Sequence, residues 1–320
     1  MHPLLRNRRA LTLAGALSAA VLWALTPPPA RADGTVQNQI SVYTGPNAEG
    51  YLQPLANAFG AALNSSFGYS AYIPRTSFHL SLETPVMGIF FEDEDRFFTA
   101  TTESGFQPET AVEDAPTVVG PGQARVISGS GGASFAFPGG LDLNSFGLVV
   151  PQLRVSSLAG TEAVIRWLAY ESGDADIGKI DLFGLGGRHS VSQYMGETPP
   201  LDLAVGVFWQ SFKVGENDSG GDFVSSDALS LQLQASKRAP MGFLTFEPYA
   251  GVAWEKLDLD LAYDDTNGDP VGVAMEAGND LRFTVGAGFN FVAGHLWADY
   301  SFADTSNFTF GLALGNVGRP

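Results

Sequence analysis

The sequence contains no cysteine and few lysines, and beyond its first 32 residues it has no long apolar stretch. Without cysteine the chain gains no disulfide bonds after export and has no thiol chemistry or cysteine-ligated metal site. Because a transmembrane helix needs about 20 consecutive apolar residues, an inner-membrane protein is not expected. Acidic residues outnumber basic residues by 34 to 17. This excess argues against nucleic acid or an anionic membrane surface as a partner.

The N-terminus has the three-part layout of a secretory signal peptide. A basic region precedes an apolar stretch at 10–25, and small residues surround a cleavage site at Ala32. The basic residues are Arg6, Arg8 and Arg9. We therefore expect residues 1–32 to be removed on export. A permanent N-terminal anchor is the alternative, but the apolar stretch is shorter than the about 20 residues that a membrane span requires.

From residue 76 onward, most of the chain follows the two-residue period of β-strands. The clearest region is 280–314, where three apolar runs alternate with polar residues or glycines and are separated by short breaks. Each run therefore has one apolar face and one polar face. In a soluble sandwich the apolar face would form the core. In a membrane barrel it would face lipid, and the polar face would line a wet lumen.

Charged residues within the strands favour the barrel. Five of them lie on the face opposite the apolar row: Arg154, Arg166, Glu247, Arg282 and Asp299. Such charges are costly in a dry core unless they are paired, but they cost little in a hydrated lumen. Short connections also alternate with long acidic ones along most of the chain, as in outer-membrane barrels. We predict an all-β, antiparallel transmembrane barrel of about 10–14 strands, with these five residues lining the lumen and setting its selectivity. A soluble exported β-sandwich is the alternative.

Two regions depart from the strand pattern. Apolar residues at helical spacing predict a short helix at 51–64, with Pro54 in its first turn. This helix either caps one end of the barrel or plugs its lumen. Residues 99–147 are rich in Gly, Pro, Ser and Thr and are predicted to form a long loop region with at most one weak strand pair. The predicted organisation is an N-terminal segment at 33–75 followed by a barrel domain at 76–320.

One acidic stretch has the ligand spacing of a calcium loop. Asp265, Asn267, Asp269 and Glu276 fall at the required positions, and Ca²⁺ is the one cofactor that the sequence suggests. Pro270 occupies the position where the motif needs glycine for a turn. The competing interpretation is an acidic external loop that contains an ordinary turn.

The sequence does not indicate an enzyme, and no catalytic residue is predicted. His189 and Ser190 are adjacent on a predicted strand, so their side chains point to opposite faces and cannot form a nucleophile–base pair. A phosphate-binding loop, a dinucleotide fingerprint, zinc-ligand spacing and a serine nucleophile elbow are all missing from the sequence.

Three glycine- and aromatic-rich stretches carry a family resemblance: residues 51–64, 182–208 and 298–312. Together they resemble an uncharacterised family of exported β-barrels, which is described only as a domain of unknown function. The last of them is also similar to the long-chain fatty-acid transporter family of outer-membrane proteins. The resemblance implies a bacterial outer-membrane barrel with an N-terminal plug and a hydrophobic solute.

Two functions remain open at this point. The first is a channel or transporter for small solutes, with outer-membrane lipid around the barrel. The second is a non-conducting barrel that serves as an anchor or adhesion platform through its acidic loops. Lumen width separates the two, because a narrow, filled barrel does not conduct.

Overall fold

The computed structural model describes residues 39–43, 45–102, 105–156, 159–171, 179–196, 199–215, 222–265, 268–291 and 294–315. The predicted signal peptide lies outside these residues. Within them, helix α1 spans Pro46–Leu63. The strands are β1 His79–Phe90, β2 Phe97–Thr101, β3 Ala111–Pro116, β4 Arg125–Ser128, β5 Ser134–Phe137, β6 Ser145–Val149, β7 Gln152–Ser156, β8 Thr161–Glu171, β9 Lys179–Ser190, β10 Asp202–Gly215, β11 Asp222–Ser236, β12 Ala239–Met241, β13 Leu244–Asp264, β14 Pro270–Glu276, β15 Leu281–Phe291, β16 Gly294–Phe302 and β17 Asn307–Gly315.

Ten antiparallel strands close into a barrel, which confirms the predicted fold class. Their order around the barrel is β1, β7, β8, β9, β10, β11, β13, β15, β16 and β17, and β17 returns to pair with β1. Strands β6 and β7 both pair with β1, so together they form one barrel strand that is interrupted at Val150 and Pro151. Proline cannot donate to a strand ladder, which accounts for an interruption at this position.

The two ends of the barrel differ in their connections. One end, called here the turn end, contains the start of β1. Mostly short connections lie there, and they join β7 to β8, β9 to β10, β11 to β13, and β15 to β16. At the opposite end, called the loop end, the connections include residues 91–144 and the hairpin of β13 and β14. The 303–306 connection is short although it lies at the loop end.

Helix α1 begins five residues before the predicted start, at Pro46. Proline is well suited to a first helical position, because its missing N–H needs no partner there. The prediction that Pro54 lies in the first turn is therefore wrong, since it lies inside the helix. An interior proline removes one backbone hydrogen bond. Tertiary burial maintains the helix, because α1 is enclosed by protein on most of its surface.

The loop-end half of the barrel interior is apolar and is occupied by α1. The helix contacts β1, β2, β6, β13 and β14. Inward-pointing apolar side chains from the strands surround it, including Met87, Ile89, Leu148, Leu257, Leu259 and Leu261. Small residues keep the helix narrow. A Cβ atom at Gly60 would lie 2.7 Å from the Ala277 Cβ.

Residues 97–137 cover the helix at the loop end. The predicted loop region at 99–147 is therefore more ordered than expected. It contains two separate hairpins, one of β2 with β3 and one of β4 with β5, and it also contributes β6 to the barrel. The Tyr43 ring packs against Phe98 at 6.2 Å and Phe137 at 6.4 Å between ring centroids. This cover rests on buried apolar contacts, which a search for strand periodicity does not detect.

The outward face of the barrel strands is apolar around its circumference. Exposed large side chains on this face include Leu82, Phe183, Leu185, Val207, Trp209, Leu231, Trp254, Phe283, Val285 and Phe310. Trp209 and Trp254 lie on this face in the middle of their strands. Among the described residues, no helix combines the length and hydropathy needed to cross a bilayer.

Glycines make room for the largest inward side chains. Trp297 is 2% exposed and pairs across strands with Gly288 on one side and Gly311 on the other. A Cβ atom at Gly311 would overlap the Trp297 ring. The glycines on the inward faces of these strands therefore leave the space that large inward side chains such as Trp297 occupy.

We expect Gly311→Val to destabilise the barrel by about 1–3 kcal/mol, because the added side chain forces the Trp297 ring out of its place. The measurement is the urea midpoint of the purified protein. Gly272→Val is the control, since a Cβ at Gly272 has no heavy atom within 4 Å. Equal shifts in the two variants would contradict the packing described for Trp297.

Candidate functional site

An extended stretch of chain passes through the turn-end half of the barrel. Residues 64–75, called here the lumen segment, connect the end of α1 to the start of β1, and they form no helix or strand. Residues such as Phe67, Tyr69, Ala71 and Ile73 are buried within it. An extended segment cannot satisfy its own backbone hydrogen bonds, so donors and acceptors must come from elsewhere.

Arginine and glutamine side chains of the barrel wall donate to the carbonyl oxygens of this segment and of Leu63, the last residue of α1. The bonds run from Arg166 and Gln210 to Leu63, from Arg166 to Ser65, from Gln152 to Ser66, from Arg154 to Phe67, from Gln234 to Gly68, and from Arg188 to Ser70. The Arg154 bond is 2.9 Å long and the Arg188 bond is 2.6 Å long. The wall therefore holds the main chain of the segment nearly residue by residue.

The same arginines form a buried ion network. Arg154 Nε donates to Glu83 Oε1 at 2.7 Å, and another of its nitrogens bonds to Glu162. Arg188 shares Glu162 at 2.6 Å. These side chains are at most 8% exposed. Charges buried this deeply are tolerable because each has an opposite partner and further hydrogen bonds.

Aromatic rings fix the side chains of the lumen segment. Phe67 stacks on Phe208 of β10 with ring centroids 4.0 Å apart, and the Arg166 guanidinium lies 3.8 Å from its ring centroid. Tyr69 stacks on Trp297 at 4.5 Å. Such stacked pairs add about 0.5–1.5 kcal/mol each beyond the area they bury.

The five residues predicted to line the lumen all point into the barrel. Arg154 and Arg166 hold the lumen segment, and Arg282 donates at 2.9 Å to the Ala61 carbonyl at the end of α1 and at 2.8 Å to Glu255. Glu247 accepts a 2.7 Å bond from Ser236, and Asp299 accepts one of the same length from Tyr249. Whether these residues set selectivity stays a prediction.

The expectation of a water-filled lumen is wrong. The chain itself fills the lumen, and the charges there are stabilised by protein partners rather than by bulk water. Two cavities beside the lumen segment have volumes of only about 30 Å³ and about 40 Å³. A third space, of about 540 Å³, opens at the turn end.

Several lumen residues were missed by sequence reasoning. They are Glu83, Gln152, Glu162, Arg188, Gln210, Gln234 and Glu255. Each of them alternates with outward-facing neighbours along its strand, so the two-residue period could have predicted their inward position. Glu83, for example, alternates with outward Leu82 on β1. The role of the lumen segment had no such signal, because residues 64–75 show neither a helical nor a strand period.

The predicted calcium ligands do not converge. Asp265 and Asp269 meet at the tip of the β13–β14 hairpin, where Asp265 Oδ1 accepts a 2.9 Å bond from the Asp269 amide. Glu276 lies at the other end of β14, about 20 Å along the strand, and its carboxylate is 3.3 Å from Lys256 Nζ. Asn267 lies outside the described residues. Among the residues that are described, no cluster of three or more His, Asp or Glu could hold a metal ion.

The fold and its interior define a closed ten-stranded β-barrel that contains its own N-terminal segment. The chain belongs to DUF6588, a family of unknown function that matches residues 21–316. This match confirms the predicted membership of an uncharacterised barrel family. No curated protein is significantly similar to the chain.

Solved structures with a related arrangement are outer-membrane proteins of low similarity. The outer membrane protease OmpT from Escherichia coli is 8% identical, covers 74% of this chain and 94% of its own, and has a TM-score of 0.32. The Ralstonia pickettii toluene transporter TbuX is 9% identical, with coverages of 86% and 94% and a TM-score of 0.28. A Pseudomonas aeruginosa FadL homologue is 12% identical, with coverages of 91% and 98% and a TM-score of 0.24. These values are too low to carry an argument about activity.

We expect Arg154→Gln to destabilise the protein by about 3–5 kcal/mol, because it leaves the buried Glu83 and Glu162 without their shared cation. The measurement is the free energy of unfolding from urea titration. Lys213→Gln is the control, since Lys213 forms an exposed pair with Asp222 at 2.7 Å. Loss of such a pair costs at most about 1 kcal/mol. A small effect at Arg154 would contradict the buried network.

Proposed function

We propose that the chain is an outer-membrane β-barrel. The outward strand face carries large apolar side chains on strands all around the barrel, while the charged residues of the strands point inward or lie toward one end of the barrel. In water, an apolar surface of this extent would far exceed the few hundred Å² that monomeric soluble proteins expose. In a bilayer it faces lipid, and the closed ring leaves no unpaired strand edge in the hydrocarbon region.

The membrane location predicts a detergent-requiring protein in the outer-membrane fraction. Closed barrels resist unfolding by dodecyl sulfate without heat, so we expect a difference in gel mobility between unheated and boiled samples. The measurement is cell fractionation followed by that gel. A freely soluble periplasmic protein with a single mobility would overturn the membrane assignment and favour a soluble β-protein.

We further infer a transport role, in which the lumen segment acts as a movable plug for small solutes. One observation carries this inference: besides the inward side chains of the wall, the lumen contains a whole segment of the chain that precedes β1. In the smallest barrels the wall side chains themselves fill the interior, and no passage can then form. Here the wall leaves room for a whole segment of polypeptide, so displacing that segment leaves an open path.

The walls around the plug indicate what could pass. The turn-end half presents paired cations and carboxylates, such as Arg154 with Glu83. The loop-end half, around α1, presents apolar side chains. A path of this composition suits small solutes that have both an apolar part and a polar group. The proposal is a transport role rather than an enzymatic one, because no nucleophile or acid–base arrangement was identified in the sequence.

A second candidate is a permanently closed barrel that serves as an anchor or adhesion platform. Two observations favour it. Six carbonyls between Leu63 and Ser70 already have donors from the wall, so displacement of the segment would cost several hydrogen bonds. Residues 97–137 also cover the loop end.

An engineered disulfide between the plug and the barrel wall distinguishes the movable plug from the permanently closed barrel. The Ser236 hydroxyl lies 2.9 Å from the Ala71 amide, which places the two residues close enough for cysteine replacement. The chain has no cysteine of its own, so the pair would be the sole thiols. In planar bilayers we expect the oxidised Ala71→Cys/Ser236→Cys protein to show no channel openings, and we expect reductant to restore the openings seen with the unmodified chain.

The single variants Ala71→Cys and Ser236→Cys serve as matched controls, and their conductance should not respond to reductant. If the unmodified chain and the reduced pair both remain silent across applied voltages and solutes, the movable plug is refuted and the permanently closed barrel is favoured. If the oxidised pair conducts as well as the reduced pair, passage does not require movement of the plug.

A further inference from the structure

We propose that the open space at the turn end is a binding site for a small organic anion with an apolar body. Its volume of about 540 Å³ lies within the range of small-molecule sites. Its walls come from three parts of the chain. These are the end of the lumen segment, the described parts of the connection between β9 and β10, and the connection between β11 and β13.

Among the described residues that line this site, positive charge dominates. These residues include three cations, Arg75, Lys237 and Arg238, and one carboxylate, Asp202. That carboxylate is already occupied, because Arg238 Nε donates to Asp202 Oδ2 at 3.1 Å. Two cations therefore line the site without a carboxylate partner among the described lining residues. A bound anion would complete the charge balance.

The surplus of cations among these residues contrasts with the chain as a whole, whose net charge is −17. Exposed lysines at the loop-end side each have an acidic partner: Lys179 bonds to Asp181, Lys213 to Asp222, and Lys256 to Asp258. Among the residues that the structure describes, no carboxylate lies within ion-pair distance of Arg75 or Lys237. These two cations thus remain available to an anion from solution.

The other walls suit an apolar body. The apolar residues that line it are Pro199, Pro200 and Leu201 of the β9–β10 connection and Ile73 of the lumen segment. Tyr72 also lines the site, and the Arg238 guanidinium lies 3.4 Å from the centroid of its ring. An anion on Arg238 would therefore lie beside an aromatic face. Charge and apolar surface together favour an aromatic or short aliphatic carboxylate over a bare inorganic ion.

Binding at this site does not depend on the transport role, because the site is open to solution with the plug in place. The test is calorimetric titration of the full-length protein in non-ionic detergent, with empty micelles as the blank. The probes are benzoate, its neutral analogue benzamide, and acetate, which has the charge but little apolar body. We expect benzoate to bind more tightly than either of the others, and added salt to weaken it.

The Arg75→Gln/Lys237→Gln variant should weaken benzoate binding roughly tenfold, with each cation contributing up to about fivefold. The Lys179→Gln/Lys213→Gln variant removes two exposed lysines near the loop end and should bind as the unmodified chain does. Circular dichroism of both variants checks that the barrel is intact. The site is refuted if benzoate and benzamide bind equally, if benzoate does not bind, or if both double variants weaken it to the same extent.

Discussion

The carbonyl oxygens of the lumen segment need hydrogen-bond donors, and this need accounts for much of the composition of the barrel interior. Extended backbone buried in a barrel has no ladder of its own, so each unpaired carbonyl would be costly. Arginine meets the need well, because one guanidinium carries five N–H donors. Arg154 uses them for the Phe67 carbonyl and two carboxylates together. The buried glutamates are then required to balance the arginines.

The barrel interior is apolar around α1 and polar around the lumen segment. This change coincides with the end of the helical backbone. Inside α1 the carbonyls bond within the helix, so the surrounding wall can be apolar. The last turn of any helix leaves carbonyls without internal partners. At this point Arg282 donates to Ala61, and both Arg166 and Gln210 donate to Leu63. Cations at this position also oppose the negative end of the helix dipole.

The strand period made the barrel predictable, including the inward position of residues such as Arg166 and Asp299. Alternation depends only on local geometry, so it can be read directly from the sequence. The lumen segment could not be predicted, because its conformation is set by partners such as Gln234 that are far away in sequence. The expectation of a wet lumen failed for the same reason. The two-residue period identifies inward charges, but it does not reveal what they contact.

The route of the lumen segment also determines which end of the barrel each part of the chain reaches. With ten strands alone, the chain before β1 and the chain after β17 would lie at the same end. The segment adds an eleventh crossing, and Tyr43 accordingly lies at the loop end, where its carbonyl accepts a 2.9 Å bond from Tyr263. The start of the described chain thus lies beside the long connections, opposite to the end where β17 stops. A label attached there would report on the loop end of the barrel without any insertion into a loop.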